Sequence, residues 1–178
     1  MRVELRPART SDVAALIDIV ERAYAPYVER IGRRPAPMDD DYASRVQQGQ
    51  VAVAAQPDEI VGLIVLIACD GHLLIEAVAV DPNKHGRGVG RALLAHAEDV
   101  AVNLDLPEVQ LYTNVAMTEN LKLYPHLGYR ESGRRTEEGF ERVFFSKPAP
   151  GGSRRRPGAR RTAPAPRPPA ADPSTSTG

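Results

Sequence analysis

Over Arg2 to Arg6, Val3 and Leu5 alternate with charged residues, which predicts a half-buried strand closed by Pro7. Thr10, Ser11 and Asp12 then offer N-caps to Val13, Leu16, Ile17, Val20, Ala23 and Tyr24, whose helical spacing predicts a first helix ending near Pro26. From Tyr27 to Met38 the period is lost among Gly32, Pro35 and Pro37, and Asp39 to Gln48 predicts a second, weaker helix. The apolar runs Val51–Ala55 and Ile60–Cys69 predict strands joined by a turn over Gln56 to Glu59, and Asp70-Gly71 signals a hairpin into a strand Leu73–Val80. Beyond a glycine-rich loop come a helix Arg91–Leu104, a strand Val109–Val115, a short helix from Thr118, and two strands, Arg130–Arg134 and Phe140–Lys147.

This order of elements, β-α-α-β-β-β-α-β-α-β-β, places one strand-helix-strand crossover between hairpins. The crossover makes its two strands parallel and the hairpins are antiparallel, so the sheet is mixed and the class is α/β in the α+β sense. The 178 residues suffice for one domain with a proper core, assigned to 1–147. Residues 148–178 are dominated by Pro, Gly, Ala, Ser and Arg, with little to bury against the entropy of ordering, and are read as a disordered tail. Charge sharpens that boundary. Six arginines against Asp172 give the tail a formal +5, leaving −5 on Met1 to Lys147 because the 23 cations and 23 anions balance. The arginines lack interleaved aromatics, so a solvated tail is preferred to a nucleic-acid-binding one.

The longest apolar run, Ile60–Cys69, is too short for a membrane span, and Met1-Arg2-Val3-Glu4 lacks the apolar core of a signal peptide, so a cytoplasmic protein is expected. The single cysteine, Cys69, cannot form an internal disulfide and reads as a small core residue. His72, His85, His96 and His126 have no ligand spacing, and no metal site is expected.

The candidate chemistry lies in Val78-Ala79-Val80-Asp81-Pro82-Asn83-Lys84-His85-Gly86-Arg87-Gly88-Val89-Gly90-Arg91. Alternate glycines between a strand and a helix leave side chains out of the way, so main-chain N–H groups of the first helical turn can face an anion favoured by the helix dipole. Arg87 and Arg91 add positive charge. A phosphorylated ligand is expected, although the same glycines also allow a helix to pack closely on a strand. The pair after the last glycine is Arg91-Ala92 and not Lys-Ser or Lys-Thr, which excludes a P-loop, and the single-residue spacing excludes a dinucleotide fingerprint.

The run resembles the acyl-CoA signature of the GNAT N-acetyltransferase family, (Arg/Gln)-x-x-Gly-x-(Gly/Ala), with His85, Gly88 and Gly90 in the defining places and His85 where Gln or Arg is usual. A second match, Leu123-Tyr124-Pro125-His126-Leu127-Gly128-Tyr129, looks like the family's later Leu-Tyr-x-x-x-Gly-(Phe/Tyr) motif, and the likeness covers Arg2 to Lys147. It implies the GNAT fold, a mixed, mostly antiparallel sheet flanked by helices, and acetyl-CoA as acyl donor. By the same resemblance the main chain of Val78, Ala79 and Val80 would hold the pantetheine arm beside a splayed neighbouring strand. His85, Gly86, Arg87, Gly88, Val89, Gly90 and Arg91 would hold the diphosphate, and Tyr124 would protonate the departing thiolate. Asn120 stands where the family often has alanine and Met117 where it often has asparagine, so the side-chain contact with the arm that the resemblance implies is either moved to Asn120 or lost.

Glu76 lies two residues before Val78 in an apolar row, a placement suited to a general base acting on the acceptor ammonium, and equally to a solvent-facing or arginine-paired glutamate. Tyr124 has a competing reading as a core tyrosine, and Pro125 predicts that its helix ends or bends there. Tyr24, Tyr27 and Glu29, with Asp39 to Asp41, are candidates to receive a cationic acceptor between the first helix and the last hairpin. The function expected is transfer of acetyl from acetyl-CoA to a primary amine of a small molecule or peptide. The alternative is a non-catalytic acyl-CoA-binding sensor or interaction module. A homodimer through the last hairpin's edge strand is also expected.

Overall fold

The structure, a computed structural model, describes residues 3–151; the expected tail, past Gly151, lies outside the described residues. One seven-stranded sheet carries the fold, built from β1 (Glu4–Pro7), β2 (Val51–Gln56), β3 (Glu59–Cys69), β4 (His72–Val80), β5 (Glu108–Asn114), β6 (Arg130–Glu137) and β7 (Phe140–Pro148). Among the described residues four helices flank it: α1 (Val13–Ile31), α2 (Tyr42–Gln47), α3 (Val89–Asn103) and α4 (Thr118–His126). The strand order is β1-β2-β3-β4-β5-β7-β6, and β4–β5 is the parallel pair, across the α3 crossover. This is the mixed, mostly antiparallel sheet expected. No helix among the described residues is long and apolar enough to cross a membrane.

Two local corrections shape the site. The first helix does not stop near Pro26 but runs on to Ile31, where Gly32, at φ +80°, closes it with its N–H on the Val28 carbonyl at 2.9 Å. An interior proline costs about 3 kcal/mol, and here it removes a hydrogen bond on an exposed face while Leu16, Ile19 and Val20 anchor the buried one. Ile17, assigned to the apolar stripe by spacing, is 46% exposed. The expected helix over Asp39–Gln48 resolves into a 3-10 turn, Ala36–Asp39, followed by α2, which Asp41 caps by accepting the Ser44 N–H at 3.0 Å. At the other end β7 includes Pro148, and Ala149 is buried with its N–H on the Pro107 carbonyl at 2.9 Å.

The core lies on both faces of the sheet. Leu93, Leu94 and Ala97 of α3 pack with Ile64, Leu73, Ile75, Leu111 and Phe145 on one face. On the other, Leu16, Ile19 and Val20 of α1 and Tyr42 of α2 pack with Val53, Leu63, Val65, Ala77 and Ala79. Strict alternation would keep Leu73, Ile75, Ala77 and Ala79 on one face. They divide because β3 and β4 slip register, Val65 opposing Ala77 while Leu66 opposes Ile75, so Glu76 is the extra residue of a β-bulge. The bulge bends β4 away from β5: their pairing stops after Leu73–Val109, Leu74–Gln110 and Ile75–Leu111. From there to the C-terminal ends of the two strands a gap opens.

Candidate active site

The loop entering the gap is held from below. Asp81 accepts the Asn83 N–H at 2.9 Å and meets the Arg22 guanidinium of α1 at 2.8 Å. Burial pushes the Asp81 carboxyl up, but the bonds from Arg22 and the Asn83 amide outweigh it and hold the group below its usual range. Pro82–Lys84 makes a 3-10 turn, and the chain then takes positive φ at Gly86 (+73°) and Gly88 (+82°), the latter being the N-cap of α3. Added Cβ atoms at Gly86 or Gly88 would meet nothing within 4 Å, so both glycines are required by backbone conformation and not by crowding.

The first bond of α3 is Ala92 N–H to Gly88 C=O at 3.0 Å. Among the described residues, no main-chain carbonyl engages the N–H groups of Gly86, Gly88, Val89, Gly90 or Arg91. These residues line one cleft, so the amides are neither tied up internally nor walled off. Val89 keeps its side chain in the core and offers only main chain, whereas Arg87 is exposed on the loop and does not line the cleft.

The cleft, of about 960 Å³, runs from this loop through the gap to the C-terminal half of α1. On its β4 rim, the Val78 carbonyl accepts the Tyr24 hydroxyl at 3.1 Å and the Val80 carbonyl lies 3.2 Å from His85 Nε2. Both carbonyls therefore face the gap and not β3, and in an extended strand each residue's N–H points the same way as its carbonyl. Glu76 also lines the cleft, half-buried, its Oε1 accepting the Tyr112 hydroxyl at 2.8 Å. Burial, reinforced by the Glu76 charge, pushes the Tyr112 phenol well above its ordinary value, so Tyr112 remains the proton donor in that bond.

Across the gap, Tyr124 sits inside α4, which ends at His126 despite Pro125, so the expected break falls one residue past the proline. Its ring rests 5.5 Å from that of Phe145 and 6.0 Å from that of Tyr129. The core reading and the site reading both describe it, because it is buried at 4% exposure and lines the cleft. Among the described residues its hydroxyl has no hydrogen-bond partner, and burial raises its pKa. Asn120 lines the same wall, with Nδ2 donated to Thr113 Oγ1 at 3.1 Å.

The helical extension through Pro26 brings Tyr24, Tyr27, Arg30 and Ile31 onto the cleft. Glu29 is a correction: it lies two residues past Tyr27, about 200° around the helix, exposed and outside the cleft. Asp39 and Asp40 line a smaller adjoining depression, paired to Arg34 at 2.9 Å and Arg45 at 3.0 Å, while Asp41 serves as a helix cap. Sequence reading missed Tyr112 and Arg142. Tyr112 alternates with buried Leu111 and Thr113, the period-2 signal of a residue facing away from the α3 core. Arg142 had no such signal, since one charge in a strand usually faces solvent. Here it is 8% exposed, bonded to Glu137 at 2.9 Å and Glu138 at 3.1 Å, with its guanidinium 4.2 Å from the Tyr112 ring. No group of three potential metal ligands occurs among the described residues.

The family model described as "Acetyltransferase (GNAT) family" matches residues 14–129. No curated protein matches the sequence. Among solved structures, the PaiA N-acetyltransferase from Thermoplasma acidophilum, in complex with coenzyme A, superposes with a TM-score of 0.68 at 15% identity, covering 81% of this chain and 98% of that one. The ribosomal-protein-S18-alanine N-acetyltransferase from Escherichia coli gives 0.67 at 21% identity, with 83% and 94% covered. An N-acetyltransferase from Staphylococcus aureus Mu50 gives 0.66 at 12% identity, with 84% and 99% covered. At these identities the structures speak for the fold.

Proposed function

The chain belongs to the acetyltransferase (GNAT) family, and from that premise we propose that it is an acetyl-CoA-dependent N-acetyltransferase acting on a primary amine of a small molecule or peptide. One observation carries the reading: amides left open at the head of α3 adjoin a gap between β4 and β5 that Glu76 and Tyr124 line from different elements.

In this reading the donor's diphosphate takes its hydrogen bonds from the main chain of Gly86 and of Gly88 to Arg91 at the positive end of α3, with His85 beside it. Its pantetheine arm lies against Val78, Ala79 and Val80, and Asn120 faces it from α4. The thioester carbonyl accepts an N–H from the splayed rim of β4, with Val78 the candidate, and that bond strengthens as negative charge develops on oxygen. The acceptor enters from the α1 side between Tyr24 and Tyr27. Glu76 takes a proton from its ammonium, through a water, and the free amine adds to the carbonyl carbon. The C–N bond forms and the C–S bond breaks as the oxyanion collapses, and Tyr124 gives its proton to the thiolate. Phenol pKa values near 10 exceed thiol values near 8.5 and burial raises Tyr124 further, so this transfer alone runs uphill and is drawn forward by collapse of the oxyanion and by return of a proton to the phenol. The proton shed by nitrogen after attack restores the phenol, and one proton leaves overall.

The test is release of free thiol from acetyl-CoA across a panel of amines, with coenzyme A binding followed separately by thermal shift. Turnover with at least one amine, lost in Tyr124→Phe while donor affinity persists, is the expected result. Background thiol release throughout, with coenzyme A still raising Tm, would replace this reading by a binding-only one.

A further inference from the structure

The acceptor half of the cleft has an unusual charge account. Among the described residues four charged side chains line it: Arg30, Glu119, Arg142 and Glu76. Arg30 Nη1 of α1 donates to both carboxylate oxygens of Glu119 of α4, at 2.8 and 3.0 Å. Arg142 is bonded to Glu137 and Glu138 and covered by the Tyr112 ring. Glu76 differs, because its hydrogen-bond partner is the neutral Tyr112 hydroxyl. Asp39 and Asp40, which line the adjoining depression with it, are already paired with Arg34 and Arg45. The remaining walls are rings and aliphatic surface, chiefly Tyr27, Ile31, Pro35, Pro37 and Phe140.

Such a chamber offers one uncompensated negative charge at the reacting end and none further out. An ammonium at Glu76 is matched there. A second ammonium a few bonds along the same molecule would face Ile31, Pro35 or Phe140, losing hydration with no anion in return. A carboxylate beside the reacting amine would lie against Glu76, and Arg142, the buried cation that could have received it, is occupied twice. We propose that the acceptor is a primary amine with a single positive charge on an apolar or aromatic body, and that polyamines and free amino acids are excluded by this pairing of the cleft's other charges. The inference rests on the acyl-transfer reading above and narrows it.

The experiment compares kcat/KM for phenethylamine, spermidine, phenylalanine and phenylalaninamide, the last restoring a neutral group in place of the carboxylate. Phenethylamine should exceed spermidine and phenylalanine by about a hundredfold, with phenylalaninamide recovering most of the loss, within the range that single pocket mismatches produce. In Ile31→Glu, which places a second carboxylate on the half-buried cleft side of α1, the spermidine to phenethylamine ratio should rise about tenfold or more. Pro37→Glu makes the same change from the half-buried 3-10 turn that follows if a lowered Tm shows that the first variant folds poorly. Spermidine or phenylalanine equal to phenethylamine, or a ratio unmoved by either folded variant, overturns the inference and leaves acyl transfer standing. No thiol release with these four or with the wider panel, while coenzyme A still raises Tm, overturns acyl transfer itself and this inference with it.

Discussion

The two ends of the cleft are built by opposite means. At the donor end, six consecutive residues, Gly86 to Arg91, place main-chain amides at a helix terminus, and the geometry is local: two positive φ angles and a helix that begins at once. At the acceptor end, apart from the Arg142 pairs with Glu137 and Glu138, the contacts join distant segments. Tyr24 reaches Val78 across 54 positions, Tyr112 reaches Glu76 across 36, and Arg30 reaches Glu119 across 89. On the proposed reading the donor end recognises through main-chain atoms, so His85 should replace a more usual residue without altering the cradle. On the same reading the acceptor end depends on which side chains carry charge and which partners cancel it, so single substitutions there should redirect specificity.

If the two ends are separable in this way, lesions should sort by kinetic parameter. The largest effect is expected in Glu76→Gln and Tyr124→Phe, each lowering turnover by roughly a hundredfold or more while donor affinity holds, since general acid and base groups typically contribute 10²–10⁴. Steady-state kinetics beside calorimetric titration with coenzyme A would check it. Next, Gly88→Val forces a β-branched residue to φ +82°, and strain of about 3 kcal/mol should weaken coenzyme A by roughly a hundredfold without changing preference among acceptors. Equal loss of acceptor discrimination would show the ends to be coupled. Tyr27→Ala should raise the acceptor KM by about tenfold through lost ring contact and leave donor binding alone.

The smallest effect is on stability alone. Asp12, held below its usual range by the Arg6 bond and the Arg9 amide, and Asp81, where Arg22 outweighs burial, both have depressed folded pKa values. Their stabilisation is therefore full above the unfolded carboxylate value of about 4 and lost as pH falls through their lower folded values. Tm should drop more steeply below about pH 4 in the native protein than in Asp81→Asn, which lacks the Arg22 linkage. Because Asp81 supports the donor loop, the variant should also weaken coenzyme A more than it raises the acceptor KM.

Much of this molecule follows from short-range pattern. Alternation and helical period locate the strands and helices to within a few residues, the glycine spacing marks the loop whose amides stay open, and the crossover dictates the β4–β5 parallel pair. Those are interactions between residues near in sequence, which composition and spacing encode directly. The persistence of α1 past Pro26, the pairing of β7 between β5 and β6, and the bulge at Glu76 were decided by packing between distant segments. The bulge is the deepest of these, since one extra residue both splits β4 between two cores and opens the gap beside β5. Charge pairing belongs in part to the same class, Arg30 with Glu119 across distant segments and Arg142 within its own hairpin. Glutamates and arginines are alike in a sequence, and only the fold determines that Arg30 and Arg142 are matched by carboxylates while Glu76 meets a neutral phenol.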